Sequence, residues 1–150
     1  MLRAKNIDYY YYASSTKLDM LVPQRSRAMD NEEVVFATNT KWLAIFFLAG
    51  SPNDAIELGL IDNKPYILEQ YPDTFDIFLK NKSGYLHYLD AANFQSDPRI
   101  SMKYHVFISR NEEKILKTET ISDIYEALKN SPVTIISFND KMEWLEKLMK

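Results

Sequence analysis

The pattern of hydrophobic positions near the start of the chain predicts two strands followed by a helix. "YYYYA", Tyr9 to Ala13, consists of strand-forming aromatic residues and runs into the turn-forming "SST". "EVVFA", Glu33 to Ala37, predicts a second strand, and the following "TNT" supplies side chains suited to capping a helix. We expect that helix from about Lys41 to Ala49, ending at "GSP". Because it is apolar on nearly every side, it should be buried.

The rest of the chain predicts mostly strands, with two further helices near the end. Strands are expected at "KPYILEQY", "GYLHYLD", "KYHVFIS", "EKILKTETI" and "VTIISF", while "DTFDIFLKN" fits either a strand or a short helix. "KLDMLVPQRS" predicts a packed loop with one helical turn. "SDIYEALKN" predicts a helix capped by Ser122. "NDKMEWLEKLMK" predicts an amphipathic helix capped by Asn139, with an apolar face of Met142, Leu145, Leu148 and Met149.

This order of elements favours an α+β fold with a mixed or antiparallel sheet, because strands and helices do not alternate strictly. The 150 residues predict a single domain spanning 1–150, with no linker or internal repeat. Eighteen basic and 21 acidic residues give a net charge of −3, which offers no support for a general nucleic-acid-binding surface.

Cysteine is absent, which excludes disulfides, thiolate catalysis and cysteine zinc sites. The longest apolar run, "WLAIFFLA", is too short to cross a bilayer, and "MLRAKNIDYY" lacks the apolar region of a signal peptide. We therefore expect a soluble, cytoplasmic protein that does not bind membranes.

Motifs for catalysis or metal binding are scarce. His87 and His105 fall on separate predicted strands without ligand spacing, so no metal site is predicted. A nucleophile elbow is absent, and three scattered glycines cannot form a phosphate loop. The aromatic excess remains, and such rings can stack on a base or on nicotinamide, although any one tyrosine more often only packs in its strand. The "ASS" after Tyr12 places hydroxyls and amides where a ribose or phosphate could bind.

"YYYYASSTKLDMLVPQRS" followed by "EVVFATNTKWLAIFF" resembles the N-terminal half of ADP-ribosyltransferase-like proteins. That superfamily includes diphtheria-toxin-type transferases, PARPs and RNA 2′-phosphotransferases. Tyr12, Ala13 and Ser14 fall where many members have His-Gly-Ser/Thr, and Phe36 takes the aromatic position of the second strand, followed by Ala37 and Thr38. The later segments "GYLHYLD" and "KYHVFIS…EEKILKTETISDIYEAL" look like those of small bacterial members, over most of the chain.

The resemblance implies two small sheets around a cleft that binds NAD, with flanking helices. By that resemblance Tyr12 and Ser14 would hold a ribose, and Phe36, next to Thr38, would stack on nicotinamide. Tyr85 and His87, on the Gly84 strand, are further cleft candidates.

The chain departs from the superfamily at the catalytic carboxylate. Where the closing segment would offer a glutamate, this chain has Val106. That carboxylate stabilises the oxocarbenium character that develops as the glycosidic bond of NAD breaks. The nearest replacements, Glu112 and Glu113, are expected to be solvated charges in a turn, and Asp90 is another candidate.

Three functions therefore stay open. The first is a divergent ADP-ribosyl or RNA 2′-phosphate transferase acting on an unidentified protein or RNA acceptor, although only Arg25 and Arg27 lie near the expected pocket to receive a phosphate. The second is a catalytically inactive module that binds a nucleotide, a nucleic-acid end or a protein. The third is an unrelated small α+β domain.

Overall fold

The structure, a computed structural model, describes residues 8–50, 55–100 and 105–149. Over these residues the chain is α+β, with mostly antiparallel sheets and short helices, which confirms the predicted class. The strands are β1 (Tyr9–Ser14), β2 (Met20–Leu21), β3 (Gln24–Ser26), β4 (Glu32–Thr38), β5 (Ile56–Ile61), β6 (Lys64–Glu69), β7 (Gly84–Asp90), β8 (Val106–Ser109), β9 (Glu113–Lys114), β10 (Lys117–Ile121) and β11 (Thr134–Ile136). The helices are α1 (Lys41–Phe47), α2 (Thr74–Phe78), α3 (Ile124–Lys129) and α4 (Lys141–Leu148).

The main sheet has β1 in its interior. Its order is β10-β7-β1-β4-β3, and β8 also pairs with β4. β1 pairs with β7 along its whole length, from Tyr9 opposite Asp90 to Ser14 opposite Tyr85. With β4, in contrast, β1 shares the single pair Tyr11–Thr38. The sheet is therefore well joined on one side of β1 and barely joined on the other.

The two faces of this sheet bury different clusters, because successive side chains of a strand point to opposite faces. One face packs against α1 and α3, and we call it the helix face. The other packs against the β2 and β9 segments, and we call it the loop face. The helix-face cluster includes Tyr11, Ala13, Leu86, Tyr88 and Ile121. The loop-face cluster includes Tyr10, Tyr12, Leu21, Ala37, Leu89 and Ile115.

A second sheet, in the order β11-β6-β5, contains a hairpin that the hydrophobic pattern did not predict. β5 and β6 are joined by Asp62 and Asn63, whose φ angles of 52° and 64° are both positive. Positive φ at both central residues is the mark of a type I′ turn, whose twist matches that of the strands. β11 adds to β6 in parallel, from Thr134 opposite Tyr66 to Ile136 opposite Leu68.

The segment "DTFDIFLKN", which fits either a strand or a short helix by its pattern, contains helix α2, and a buried carboxylate binds the first turn of that helix. Glu69, at the end of β6, is 6% exposed. Its carboxylate accepts the backbone N–H groups of Phe75 (2.6 Å) and Phe138 (2.8 Å). The first of these lies in the opening turn of α2, where N–H groups have no partner within the helix. Glu69 therefore fixes the start of α2 and ties it to the chain after β11.

Several expected helix caps are wrong. Thr38 Oγ1 accepts the N–H of Thr40, ahead of α1, and Thr40 makes no side-chain cap bond. The cap of α3 is Asp123, whose Oδ1 accepts the N–H of Glu126, rather than Ser122. Asn139 does not cap α4, because a 3₁₀ turn over Phe138–Asp140 intervenes and the helix begins at Lys141.

Two further expectations also differ from the structure. The predicted helical turn in "KLDMLVPQRS" is replaced by the strands β2 and β3. The apolar face expected for α4 is largely exposed, with Met142 at 66% and Met149 at 86%. The helix instead contacts the body of the protein through Trp144, whose ring lies 4.9 Å from that of Tyr66.

Some expectations fall outside the described residues. They are the character of the first seven residues, the helix stop at 51–52, the start of the "KYHVFIS" strand at 103–104 and the terminal Lys150. Gly50, just before residues 51–52, has a φ of 79°, a left-handed conformation that is common just after the end of a helix. Within 8–50, 55–100 and 105–149, none of the helices has the length and apolar character needed to span a bilayer.

Candidate functional site

A small cavity lies where β1 and β4 separate, covered by α1. We call it the ring cavity, and its volume is about 100 Å³. Three residues expected at a binding site, Tyr12, Phe36 and Thr38, border it together with Val106. Its remaining lining residues are Tyr11, Ala13, Ala37, Ala44 and Phe47.

The local sequence explains why a space remains there. β1 and β4 meet at Tyr11 and Thr38 and are not paired beyond them. Thr38 Oγ1 accepts the N–H of Thr40 at 3.1 Å, and the chain enters α1 directly afterwards. This tight turn lays α1 over the gap, and the small side chain of Ala44 leaves part of the gap unfilled.

The alternation of side chains divides the predicted site residues between the two faces. Phe36 and Thr38 share the parity of Val106 and Tyr11 and belong to the helix face. Tyr12 borders the cavity, but its ring packs in the loop-face cluster and stacks 6.4 Å from the imidazole of His87. The structure thus brings Phe36, Thr38 and Val106 together as side chains, while Tyr12 points to the opposite face.

Among the described residues that line the ring cavity, none carries a carboxylate. Val106 lies directly opposite Thr38 in the β4–β8 pairing and presents only methyl groups. Four aromatic residues line the cavity, and the rings of Tyr11, Phe36 and Phe47 form most of its walls, because Tyr12 packs its ring on the loop face. The cavity therefore suits a flat, weakly polar group, and offers no negative charge to stabilise a cation.

Of the two candidate replacement carboxylates, Glu112 is exposed, as expected, but the expectation for Glu113 is wrong. Glu113 is only 4% exposed. Its Oε2 accepts the hydroxyl of Ser109 at 2.5 Å, and its Oε1 accepts the amide of Asn93 at 2.9 Å. Glu113 is paired opposite Leu21 in the β2–β9 ladder and joins three loop-face segments. A third candidate, Asp90, accepts the N–H of Ala92 at 2.9 Å and caps a 3₁₀ turn.

Ser14 and His87 form a partly buried polar chain instead of lining the cavity. Ser14 Oγ donates to the carbonyl of Thr16 at 2.5 Å and lies 2.8 Å from His87 Nε2. We assign the proton of the neutral imidazole to Nε2, because the serine hydroxyl already donates to Thr16, whose carbonyl also accepts from the imidazole, and Nδ1 then accepts from Thr118 Oγ1 at 3.2 Å. His87 is fully buried, and this desolvation lowers the pKa of its imidazole. A neutral imidazole satisfied on both sides is not placed to act as a base on Ser14.

Tyr85 and His105 lie away from the ring cavity. Tyr85 is half-buried opposite Ser14 on the loop face. His105 is exposed, with a φ of 49°, and borders a separate cavity of about 220 Å³ beside Trp42 and the β5–β6 hairpin. Over the residues that the structure describes, His, Asp and Glu side chains do not come together in threes as metal ligands would.

Sequence reasoning missed three wall residues, Tyr11, Ala44 and Phe47. The spacing of Ala44 and Phe47, three residues apart on a helix, places them on one face and was a usable signal. Tyr11 could not be separated from its neighbours in a run of four tyrosines without the strand register.

No protein-family model, curated protein or solved structure matches this chain.

Proposed function

We propose that the chain is a divergent ADP-ribosyltransferase-like protein that binds NAD, or a similar nicotinamide nucleotide, without cleaving it. The observation that carries the proposal is the meeting of Phe36, Thr38 and Val106 at one cavity between two strands. Phe36 takes the position that the sequence resemblance assigns to stacking on nicotinamide, and Thr38 is the cofactor-site candidate that follows it in the same motif. Val106 takes the place of the catalytic glutamate.

The sheet arrangement supports the choice of superfamily. The resemblance implies a cleft between two small sheets. In this chain β1, β7 and β10 form one well-paired set, and β4 pairs with β3 and β8 in another. The two sets touch through the pair Tyr11–Thr38, and the ring cavity lies beside that contact.

The size of the cavity restricts what enters it. Its volume of about 100 Å³ is below the roughly 300–1,000 Å³ of typical small-molecule sites. It would therefore admit one ring, and the remainder of a dinucleotide would lie outside it. Aromatic walls favour a planar ring, because offset or edge-on contacts between rings are attractive. Nicotinamide fits this description.

The described lining of the cavity contains no carboxylate, which supports binding rather than catalysis. Cleavage of the glycosidic bond builds positive charge on the ribose, and a fixed negative group lowers that barrier by several kcal/mol. Val106 cannot supply this stabilisation. Glu113 is engaged with Ser109 and Asn93 on the loop face, behind the sheet as seen from the cavity.

The test is a calorimetric titration of the protein with NAD, with released nicotinamide assayed in the same samples. Phe36→Ala removes an aromatic wall and should weaken binding by about tenfold or more, the equivalent of losing one aromatic contact. Phe107→Ala is the matched control, because Phe107 lies on the neighbouring strand β8 and its ring packs in the loop-face cluster. That variant should bind NAD as the parent does.

Saturable binding that Phe36→Ala alone weakens, without nicotinamide release, is the expected result. Nicotinamide release above the blank would favour the active transferase. Absence of binding at millimolar NAD would exclude the nicotinamide nucleotide and leave a protein-binding module or an unrelated α+β domain. Equal losses in the Phe36 and Phe107 variants would mean that general destabilisation, and not the cavity, is responsible.

A further inference from the structure

A larger depression lies on the other side of α1 from the ring cavity. It is formed by the first turn of α1, the edge strand β10 and the turn after α3, and we call it the basin. Its volume is about 500 Å³, within the roughly 300–1,000 Å³ of small-molecule sites. The proposed nicotinamide function makes no use of it.

The basin combines an apolar floor with a charged wall. Ile45 and Ile121 are buried beneath it, and Trp42 and Pro132 flank them. On one side Lys41 Nζ lies 3.0 Å from Glu119 Oε1, and both side chains are partly exposed, at 45% and 38%. The pair is thus accessible to a ligand in the basin, and an apolar group of that ligand could be buried next to it.

The hydrogen bonds of Lys41 and Glu119 leave some of their donor and acceptor groups free to bind a ligand. Glu119 Oε1 accepts from both Lys41 and the hydroxyl of Tyr88, the latter at 2.8 Å. Its other oxygen, Oε2, accepts no hydrogen bond from any residue that the structure describes. Lys41 carries three N–H donors, of which one points to Glu119 and another to the hydroxyl of Tyr88. A free anionic acceptor and a free cationic donor therefore lie side by side.

Such a pair complements a ligand that carries both charges. An ammonium group placed at Glu119 Oε2 and a carboxylate placed at Lys41 Nζ would complete a ring of four charges that alternate in sign. A singly charged ligand would gain one attraction and meet one repulsion, since the two protein charges are only 3.0 Å apart. We propose that the basin is a binding site for a zwitterionic α-amino acid with a large apolar side chain, which would lie over Ile45, Ile121 and Trp42.

The probes are four related compounds. L-phenylalanine carries both charges, phenethylamine only the ammonium, 3-phenylpropionate only the carboxylate, and N-acetyl-L-phenylalanine amide neither. Trp144→Phe leaves Trp42 as the single tryptophan of the chain, so its emission reports on the wall of the basin. Titration of this variant should give a saturable change with L-phenylalanine. The other three should bind about tenfold more weakly or worse, because each loses at least one hydrogen bond to a charged group.

Two substitutions test whether Glu119 and Lys41 bind the charged groups of L-phenylalanine. Glu119→Gln and Lys41→Met should each weaken L-phenylalanine about tenfold. Lys117→Met is the comparison variant, because Lys117 Nζ lies over the Tyr88 ring at 4.9 Å and its charge also acts on Glu119, but it does not line the basin, so its loss should weaken binding less than Lys41→Met does. Equal affinity for all four compounds would overturn the proposal in favour of purely apolar binding. It would equally be overturned by no response to L-phenylalanine at tens of millimolar, or by loss of binding in the Lys117 variant alone. Phe36→Ala should leave this binding intact, which separates the basin from the ring cavity.

Discussion

Tyr11 lies directly opposite Thr38, and among the described residues this is the one pairing that joins β1 to β4. Every other residue of β1 is paired with β7 alone. A sheet held together by one pair at its middle leaves backbone groups and side-chain space on both sides of that pair. The ring cavity occupies part of this space, so its shape depends on few residues and should respond to single substitutions.

Filling the cavity is the most direct of these substitutions. Val106→Phe should occupy most of the roughly 100 Å³ and abolish NAD binding. Because Val106 is only half-buried, we expect the thermal midpoint to change little. Calorimetry and thermal unfolding measure the two effects. The same change at the exposed Val22 serves as the control, and NAD binding by Val106→Phe at parental affinity would count against the ring cavity as the site.

The buried carboxylate of Glu69 should contribute strongly to stability. Glu69→Ala leaves the N–H groups of Phe75 and Phe138 without their acceptor, and one unsatisfied buried group costs about 1–3 kcal/mol. We therefore expect a loss of about 2–5 kcal/mol in the free energy of unfolding, measured with urea. Glu57→Ala is the control, since Glu57 is exposed and, among the described residues, accepts a side-chain hydrogen bond from the hydroxyl of Tyr66 alone. Similar losses in the two variants would contradict a special role for Glu69.

The burial of His87 predicts a pH dependence. Desolvation lowers the pKa of the folded imidazole below its ordinary value of 6.5, so the unfolded chain takes up a proton first as the pH falls. The unfolded state then binds more protons than the folded state, and stability decreases from about pH 6.5 downward until the folded pKa is reached. The carbonyl of Thr16 offsets part of this shift in the pKa of His87, and the neighbours Ser14, Thr118 and Tyr12 carry no charge. Urea unfolding at pH 7.5 and 5.5 checks it, and His87→Gln should show a smaller difference than the parent.

The two strand glycines should differ in their tolerance of alanine. A Cβ at Gly84 would lie 2.9 Å from the main-chain oxygen of Ser14, and 2.7 Å from a methyl group of Leu48, so β1 and β7 would have to move apart. The three atoms nearest a Cβ at Gly59 all belong to Tyr66, a side chain that can rotate away. We expect Gly84→Ala to lower the urea midpoint more than Gly59→Ala does. The reverse order would show that the packing of Tyr66 against Trp144 is the more rigid contact.

The elements that the sequence predicted well are those whose local pattern agrees with their tertiary setting. β1, β4, β7 and α1 carry dense apolar runs with clear ends, and each is found near its expected bounds. β5 was missed because Gly59 interrupts its apolar pattern and its turn, Asp62–Asn63, lacks glycine. α2 could not be distinguished from a strand by its own sequence, because the group that accepts an N–H of its first turn is the carboxylate of Glu69, which lies outside the segment.

The candidate site was predictable only in part, for a similar reason. The sequence connected Phe36, Thr38 and Val106 only through the family resemblance, since they belong to segments far apart in the chain. Which face each side chain occupies depends on the strand register, because a shift of one residue exchanges the two faces. The register that puts Phe36 on the helix face and Ser14 on the loop face is set by Tyr11–Thr38 and Tyr12–His87. Neither pairing is encoded within one element.

The position of β1 inside the sheet also determines when it can fold. Tyr9–Ser14 is synthesised well before its main partner, Gly84–Asp90, which follows about 70 residues later in the chain. Until then an uncharged aromatic segment with high strand propensity stays unpaired, which is the kind of segment that aggregates during folding. A nascent chain arrested before Asp90 should therefore expose Tyr9–Tyr12, and a chaperone that recognises aromatic segments would bind it there.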